Sequence, residues 1–185
     1  MISVVMASYL GYYPNCASNR PYKLRRAIES FLSQGIGELI VSPDGCQETV
    51  NICQEYPIKC LPAGEKMPAF SGAVRNRGID AAQYDYIAYL DSDDILGDGH
   101  LSAIAENLDS DWLWWDDYLD VIRRSVRLEL GCIGTSAIAH KKSLGIVWPD
   151  GYAHDWKVVE QLMKHEGRKI ETKYRVMHIP GVMDS

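Results

Sequence analysis

The sequence has no excess of basic residues and no long apolar run. Its 185 residues include 19 Lys and Arg against 25 Asp and Glu, which gives a formal net charge of −6. This balance argues against bulk attraction to nucleic acid or to an anionic membrane surface. No segment approaches the roughly 20 apolar residues of a membrane-spanning helix, and residues 2–7 lack the charged start of a signal peptide. We therefore expect a cytoplasmic protein with no nucleic-acid partner and no integral membrane segment.

Cysteine motifs and phosphate-gripping glycine loops are also missing. The five cysteines are odd in number and show no C-x-x-C spacing, which favours ordinary thiols in a reducing compartment. Neither G-x-x-x-x-G-K nor G-x-G-x-x-G occurs, so a bound phosphate would need another kind of partner. In an acidic protein, a divalent cation held by carboxylates is an attractive partner for a diphosphate.

The residues that are present indicate one domain of the α/β class. A chain of 185 residues with 46% hydrophobic content can bury one core but does not divide comfortably into two domains. The nearly continuous apolar run at residues 2–7 predicts a central parallel strand, and helical spacing of apolar residues predicts a helix over 21–34, capped by Asn19. Further strands are predicted at 38–41, 58–61, 86–90 and 169–177, one or two more within 112–130, and helices at 47–55, 70–83, near 101–108 and from 155. This alternation predicts a mixed, mostly parallel sheet flanked by helices.

An acidic cluster follows the strand predicted at 86–90. Asp91, Ser92, Asp93 and Asp94 come directly after its carboxyl end, where ligands gather in open α/β sheets. If the chain stays extended there, the side chains of Asp91 and Asp93 point to the same side. Converging carboxylates suit Mg²⁺ or Mn²⁺ that keeps positions for phosphate oxygens. The alternative is a solvated acidic turn that caps the next helix.

Five segments, taken in order, resemble the family-2 glycosyltransferases of the GT-A fold. They are residues 4–9, 24–34, 44–45, 73–78 and 89–94. Each segment is weak alone, but their order and spacing are specific, and the resemblance spans almost the whole chain. It implies one GT-A glycosyltransferase domain over residues 1–185, with a nucleotide-binding half at 1–95 and an acceptor and catalytic half at 96–185.

The resemblance also implies roles for individual residues on the donor side. The donor would be a nucleotide-diphosphate sugar, usually a UDP-sugar, and the enzyme would be of the hexosyltransferase class. The implied nucleotide-sugar contacts are Ala7, Tyr9, Asp44, Arg75, Asp91 and Ser92, with Asp93 binding the cation and Asn76 organising its loop. Asp44 could instead be an ordinary residue of a Pro-Asp-Gly turn. Arg75 and Arg77 could instead lie on a solvated helix face.

The segment at residues 152–159 looks like the family's acidic residue ahead of a Trp-containing helix, and Asp155 is the match. In an inverting enzyme this carboxylate takes the proton from the acceptor hydroxyl, which contributes roughly 10²- to 10⁴-fold in rate. The alternative is a plain helix N-cap. The family more often has Glu-Asp where this chain has His154 and Asp155, so His154 could orient Asp155 or touch the acceptor.

His178 follows the last predicted strand, at a place where several metal-dependent GT-A enzymes have a cation-binding histidine. Together with Asp93 and the diphosphate it would make a nitrogen and oxygen ligand set that suits Mn²⁺ better than Mg²⁺. A structural or exposed histidine is the alternative. The acceptor would be a saccharide, a lipid-linked molecule or another hydroxyl compound, recognised by short loops, a second subunit of a homo-oligomer or another protein.

Two other functions compete with sugar transfer. In haloacid-dehalogenase-like phosphatases, Asp91 would be the nucleophile, but Ile95 stands where that motif has Thr or Val, and the motif lies far from the chain start. A nucleotide-sugar binding module without transfer activity is the non-enzymatic alternative. The resemblance favours a metal-dependent, one-step inverting transfer.

Overall fold

The computed structural model describes residues 1–68, 72–119 and 121–177. Over these ranges the chain forms a nine-stranded sheet with helices packed against its faces. No helix in the described ranges is long and apolar enough to cross a membrane. All five cysteines are free thiols.

The first half of the sheet is entirely parallel. Its elements are β1 (Ile2–Ser8), α1 (Arg20–Leu32), β2 (Glu38–Pro43), α2 (Gln47–Cys53), β3 (Lys59–Cys60), α3 (Ala73–Asp80) and β4 (Tyr86–Tyr89). The strands lie in the order β3-β2-β1-β4, so the prediction of a central first strand is confirmed. β1 is apolar on both sides because Val4 and Met6 pack into the core under α1 while Val5 packs into the opposite core.

A change of direction in the strand order marks the place for a ligand site. The chain runs outward from β1 to β3 and then returns to form β4 on the other side of β1. Such a switch point opens a crevice beyond the carboxyl ends of the two strands. The helix α3 lies directly on β1 because Gly78 has no side chain: a Cβ there would be 2.5 Å from Cγ1 of Val5.

The second half of the sheet mixes both strand directions. Its elements are β5 (Ile95–Leu96), α4 (His100–Ala105), β6 (Trp112–Leu119), β7 (Ile122–Arg124), β8 (Ile138–Lys141), α5 (His154–Leu162) and β9 (Gly167–Val176). The order continues from β4 as β8-β6-β9-β5, and β7 pairs with β6 as a hairpin. β8 is antiparallel to both β4 and β6, whereas β6 and β9 are parallel.

The predicted fold class is confirmed, but several elements differ from the prediction. β8 and β5 were not predicted, because strands of four and two residues are too short to show a period. The region 112–130 holds two strands that end at Arg124, and the helix predicted from residue 70 begins at Ala73, with residue 70 itself outside the described residues. Asn19 occupies the cap position of α1, yet its side chain makes no capping hydrogen bond.

Candidate donor and acceptor site

The acidic cluster forms a tight turn immediately after β4. The backbone N–H of Asp94 donates to the carbonyl oxygen of Asp91 at 3.1 Å, so the chain is not extended here. The prediction that the side chains of Asp91 and Asp93 point to the same side assumed an extended chain, and that assumption is wrong. From α1, Nη2 of Arg26 donates to the carbonyl oxygen of Asp93 at 3.0 Å, which holds the turn against the first helix.

Arg75 and Asp91, two of the predicted donor contacts, meet at this turn. Nη2 of Arg75 lies 3.4 Å from Oδ1 of Asp91, and the two side chains are 15% and 36% exposed. A solvated helix face is therefore the wrong description of Arg75. Arg77 is also engaged, since its guanidinium donates to the carbonyl oxygens of Pro43 and Pro62 and ties two loops together.

Asp94 is buried and joins the acidic turn to the last strand. Its Oδ2 accepts from the hydroxyl of Tyr174 at 3.0 Å and its Oδ1 accepts from the N–H of Met177 at 2.7 Å. The Tyr174 oxygen in turn accepts from the N–H of Asp91 at 3.1 Å. Burial, together with the nearby carboxylates of Asp91 and Asp93, raises the pKa of Asp94 well above its ordinary value. The third aspartate therefore positions the turn, and negative charge is concentrated around it.

The predicted nucleoside contacts lie at the carboxyl ends of β1 and β2 or just beyond them. Ala7 and Tyr9 are partly exposed at the end of β1. Asp44 follows β2, and its N–H donates to the carbonyl oxygen of Ser8 at 2.8 Å. The parallel pairing of β1 and β2 thus places these three residues at one edge of the sheet. Their contact with a nucleoside stays a prediction.

Lys66, from the loop after β3, lies between Tyr9 and Asp44. Its Nζ is 2.6 Å from Oδ2 of Asp44 and 4.4 Å from the centroid of the Tyr9 ring. The other Asp44 oxygen accepts from the N–H of Met67 at 2.7 Å. Asp44 therefore does more than shape its own turn. Sequence reasoning missed this lysine as a partner, because the contact joins residues that are far apart in the chain.

Asp155 lies in the first turn of α5 rather than at its cap. The cap position belongs to Ala153, which adopts a left-handed conformation with φ of 57°, so the N-cap alternative for Asp155 is wrong. Oδ1 of Asp155 accepts from the N–H of Trp156 at 2.8 Å, and the side chain is half-buried. A left-handed alanine is a strained conformation that recurs at functional sites, and here it sets the direction in which α5 begins.

Trp148 connects Arg75 of α3 to the start of α5, and sequence reasoning missed it. The guanidinium carbon of Arg75 lies 4.9 Å from the centroid of the indole ring, and the ring of His154 meets the indole edge-on at 5.6 Å. The side chain of Asn76 binds both the N–H and the carbonyl oxygen of Trp148 at 2.9 Å. The only sequence signal was a tryptophan inside a loop segment with no periodic pattern.

A buried chain of hydrogen bonds leads from the indole of Trp148 to His140. The indole N–H donates to the hydroxyl oxygen of Tyr89 at 2.9 Å, and that hydroxyl donates to Nε2 of His140 at 2.7 Å. Nδ1 of His140 donates to the carbonyl oxygen of Lys141 at 3.0 Å. Burial lowers the pKa of His140 to about 4, so the neutral ring remains an acceptor near neutral pH. Tyr89 ends β4, two residues before Asp91.

The sequence predicts a divalent cation at the acidic turn. Within residues 1–68, 72–119 and 121–177, no three His, Cys, Asp or Glu side chains come together as a metal site. Burial and, after it, the carboxylates of Asp91 and Asp93 raise the pKa of Asp94, and carboxylates are nevertheless ligands that suit a hard cation. His178, the other predicted ligand, lies outside the described residues. The predicted Mn²⁺ or Mg²⁺ site stays a prediction.

The parallel first half of the sheet, which ends in an acidic turn after β4, has the arrangement that the resemblance to the GT-A fold predicted. The model of the family "Glycosyl transferase family 2" matches residues 16–123. This match covers more than half of the chain, so the protein belongs to that family, as the motifs predicted. No curated protein is detectably similar to the chain in sequence.

Solved structures of S. aureus TarS share the fold. The TarS 1–349 structure in complex with UDP-GlcNAc superposes with a TM-score of 0.76 at 16% identity, covering 98% of this chain and 59% of that chain. The structure of TarS 1–349 gives 0.73 at 16% identity, with coverages of 95% and 60%, and its complex with UDP gives 0.69 at 15%, with the same coverages. This chain therefore spans about three fifths of those chains, and identity at this level establishes the fold alone.

Proposed function

We propose that this protein transfers a sugar from a UDP-sugar to an acceptor hydroxyl. The observation that carries the proposal is the contact between Arg75 and Asp91 beyond the carboxyl end of β4, beside the switch point, in a family-2 chain. Support comes from S. aureus TarS, which shares the fold and was solved with UDP-GlcNAc and with UDP. The family membership also argues against the phosphatase alternative.

The donor would lie across the carboxyl ends of β1, β2 and β4. Tyr9 and Asp44 would face the base, with Ala7 beside them, while Asp91 and Ser92 would face the ribose. The guanidinium of Arg75 has five N–H donors, and its contact with Asp91 is long at 3.4 Å. It can therefore turn donors toward the diphosphate without leaving the indole beneath it.

A divalent cation, Mn²⁺ or Mg²⁺, would be held by Asp93 and His178. When bound, it would supply positive charge for the departing diphosphate. Arg26 donates to the backbone carbonyl of Asp93, which fixes the position of the turn that carries this residue. Met177, which precedes His178 in the chain, is held to the same turn by Asp94 at 2.7 Å.

Transfer would proceed in one inverting step. The acceptor oxygen attacks the anomeric carbon of the sugar while the bond from that carbon to the diphosphate oxygen breaks. Asp155 accepts the acceptor's proton through the carboxylate oxygen that Trp156 does not bind, and Arg75 orients the donor. The nucleoside diphosphate and the glycosylated acceptor are the products.

Calorimetry with UDP-, GDP- and TDP-sugars in the presence of Mn²⁺ tests the donor site without knowledge of the acceptor. We expect UDP-sugars to bind, and we expect Asp93→Ala to abolish the metal-dependent part of the binding. Asp98→Ala, an exposed acidic residue outside the turn, is the matched control and should bind as the wild type does. If no nucleotide sugar binds with either Mn²⁺ or Mg²⁺, the proposal is wrong, and binding without acceptor-dependent turnover indicates a binding module instead.

A further inference from the structure

Trp148 contacts each of the three segments that carry the proposed donor and acceptor residues. Its side chain is 1% exposed. It meets Arg75 on α3, Tyr89 at the end of β4, and His154 at the start of α5. Trp148 thus makes a cation–π contact, a hydrogen bond and a ring contact, each to a different element. Such a buried aromatic side chain fixes the spacing of the three elements more tightly than an aliphatic side chain does.

On the donor side, Trp148 sets the position of the Arg75 guanidinium. The cation lies over the indole face at 4.9 Å, within the range of a favourable cation–π interaction. Its Nη2 faces Oδ1 of Asp91 at 3.4 Å. The guanidinium is thus held between the indole and the acidic turn, at the place proposed for the diphosphate.

On the acceptor side, the loop that carries Trp148 determines where α5 begins. Residues 148–153 lead directly into α5, and His154 packs edge-on against the indole at 5.6 Å. The same loop is anchored to the start of α3, because Oδ1 of Asp150 accepts from the N–H of Gly72 at 2.8 Å. Because Asp155 comes one residue after His154, its position depends on the same indole ring that supports Arg75.

We propose that Trp148 is a positioning residue that sets the distance between the diphosphate-binding Arg75 and the proton-accepting Asp155. This inference rests on the proposed function, and Trp148 itself touches neither substrate. A misplacement of about 1 Å between reacting groups can reduce a rate by about 10²-fold. The indole ring of Trp148 contacts both Arg75 and His154 and thereby prevents that misplacement.

The geometric part of the proposal can be tested without any ligand. Stacking on an indole shifts the NMR signals of the Arg75 Nε–H and of the His154 ring protons. Trp148→Leu should abolish both ring-current shifts, whereas Trp148→Phe should retain them in reduced form. Leu162→Ala is the control, because Leu162 is fully buried in the same core on α5 but lies at the far end of the helix; it should lower stability and leave both shifts in place.

The functional part uses a double-mutant cycle with UDP as the probe. Trp148→Leu should weaken UDP binding about fivefold by releasing Arg75, and it should lower kcat further than it raises KM, since Asp155 is also displaced. In an Arg75→Met background, Trp148→Leu should have little further effect on UDP binding, because coupled residues are not additive. Trp148→Phe should restore most of the activity.

The outcomes separate the two proposals. Unchanged Arg75 and His154 signals in Trp148→Leu would overturn the positioning role, whatever the protein binds. Shifted signals with normal UDP affinity and normal kcat, or additive effects in the cycle, would make Trp148 a packing residue only and would also overturn it. If the wild-type protein binds no nucleotide sugar, the proposed function is wrong, and so is the effect of Trp148 on catalysis. The NMR signals of the ligand-free protein would still show whether Trp148 positions Arg75 and His154.

Discussion

The proposed function assigns the chain up to β4 to the donor and the chain after β4 to the acceptor, and these two halves, called here the donor half and the acceptor half, are built in different ways. Up to β4, strands and helices alternate and every strand pairing is parallel. Tyr9, Asp44 and Asp91 therefore follow the carboxyl ends of the adjacent strands β1, β2 and β4 at one edge of the sheet. After β4, the neighbour of that strand is β8, which comes about fifty residues later in the chain. The edge that carries Tyr9, Asp44 and Asp91 follows from a local repeat of strands and helices, whereas in our proposal the position of Asp155 depends on the contacts of Trp148 with Arg75 and Tyr89. We call the contacts of Trp148 with Arg75, Tyr89 and His154 the junction. Substitutions there should affect catalysis more than donor binding.

The largest expected effect is in the acceptor half. Asp155→Asn should lower kcat by about 10²- to 10⁴-fold, since the amide cannot accept the acceptor's proton. UDP affinity should be unchanged, because the donor contacts belong to the other half. Steady-state kinetics and calorimetry on the same preparation check both parts. Near-normal turnover by Asp155→Asn would show that another group is the base.

Acid should destabilise the acceptor half first. Burial lowers the pKa of His140 to about 4 and that of His100 to about 3, and all the histidines lie after residue 95. Between pH 6.5 and 4 the unfolded chain takes up these protons and the native state does not. Stability is therefore complete above pH 6.5 and is lost on acidification, by on the order of 3 kcal/mol for His140 alone. Asp94, whose pKa is raised, titrates in the opposite sense and offsets part of the loss.

Urea unfolding across this pH range measures the effect, and hydrogen exchange should show β6 and β8 opening before β1 and β2. His140→Gln, which keeps an acceptor for the Tyr89 hydroxyl, should reduce the acid dependence. His165→Gln, at an exposed position, should not. Equal acid dependence in the wild type and in His140→Gln would contradict the assignment.

The junction itself should depend on Asn76. Asn76→Ala removes both hydrogen bonds to the Trp148 backbone and leaves a partly buried N–H and carbonyl unpaired, which should cost about 2 kcal/mol in the free energy of unfolding. Asn51→Ala removes the exposed contact with Gln47 and should cost less than about 0.5 kcal/mol. Urea titrations measure the free energy of unfolding of both variants. Similar losses in the two variants would mean that the hydrogen bonds of Asn76 to Trp148 do not stabilise the junction.

The smallest expected effect contrasts two glycines. Gly78→Ala would place a Cβ 2.5 Å from Val5 in the donor half, and the overpacking should exceed the gain in helix propensity by about 1 kcal/mol. Gly134→Ala, in the acceptor half, has no atom within 4 Å of the new Cβ and should be neutral. Thermal unfolding distinguishes them. A neutral Gly78→Ala would show that α3 can shift away from β1.

Much of the donor half could be predicted from particular residues. The apolar run of β1 predicted a buried central strand, and the aspartates after β4 predicted a site at its carboxyl end. The contact of Lys66 with Asp44 could not be predicted, because loop residues carry no period that reports their partners. His140 was likewise overlooked, since a four-residue strand is defined by the neighbours β4 and β6 rather than by its own pattern.

The sequence by itself determined the family, the fold class and the position of the acidic cluster after β4, because strand and helix periods and the order of short motifs are local properties of the chain. Only the tertiary structure decided that residues 91–94 turn, that Asp94 is buried against Tyr174, and that Trp148 lies between Arg75 and His154. The contacts of Asp94 with Tyr174 and of Trp148 with Arg75 join segments that are far apart in the chain, and Arg26 of α1 holds the turn. Their geometry depends on how whole elements pack, which no local pattern encodes.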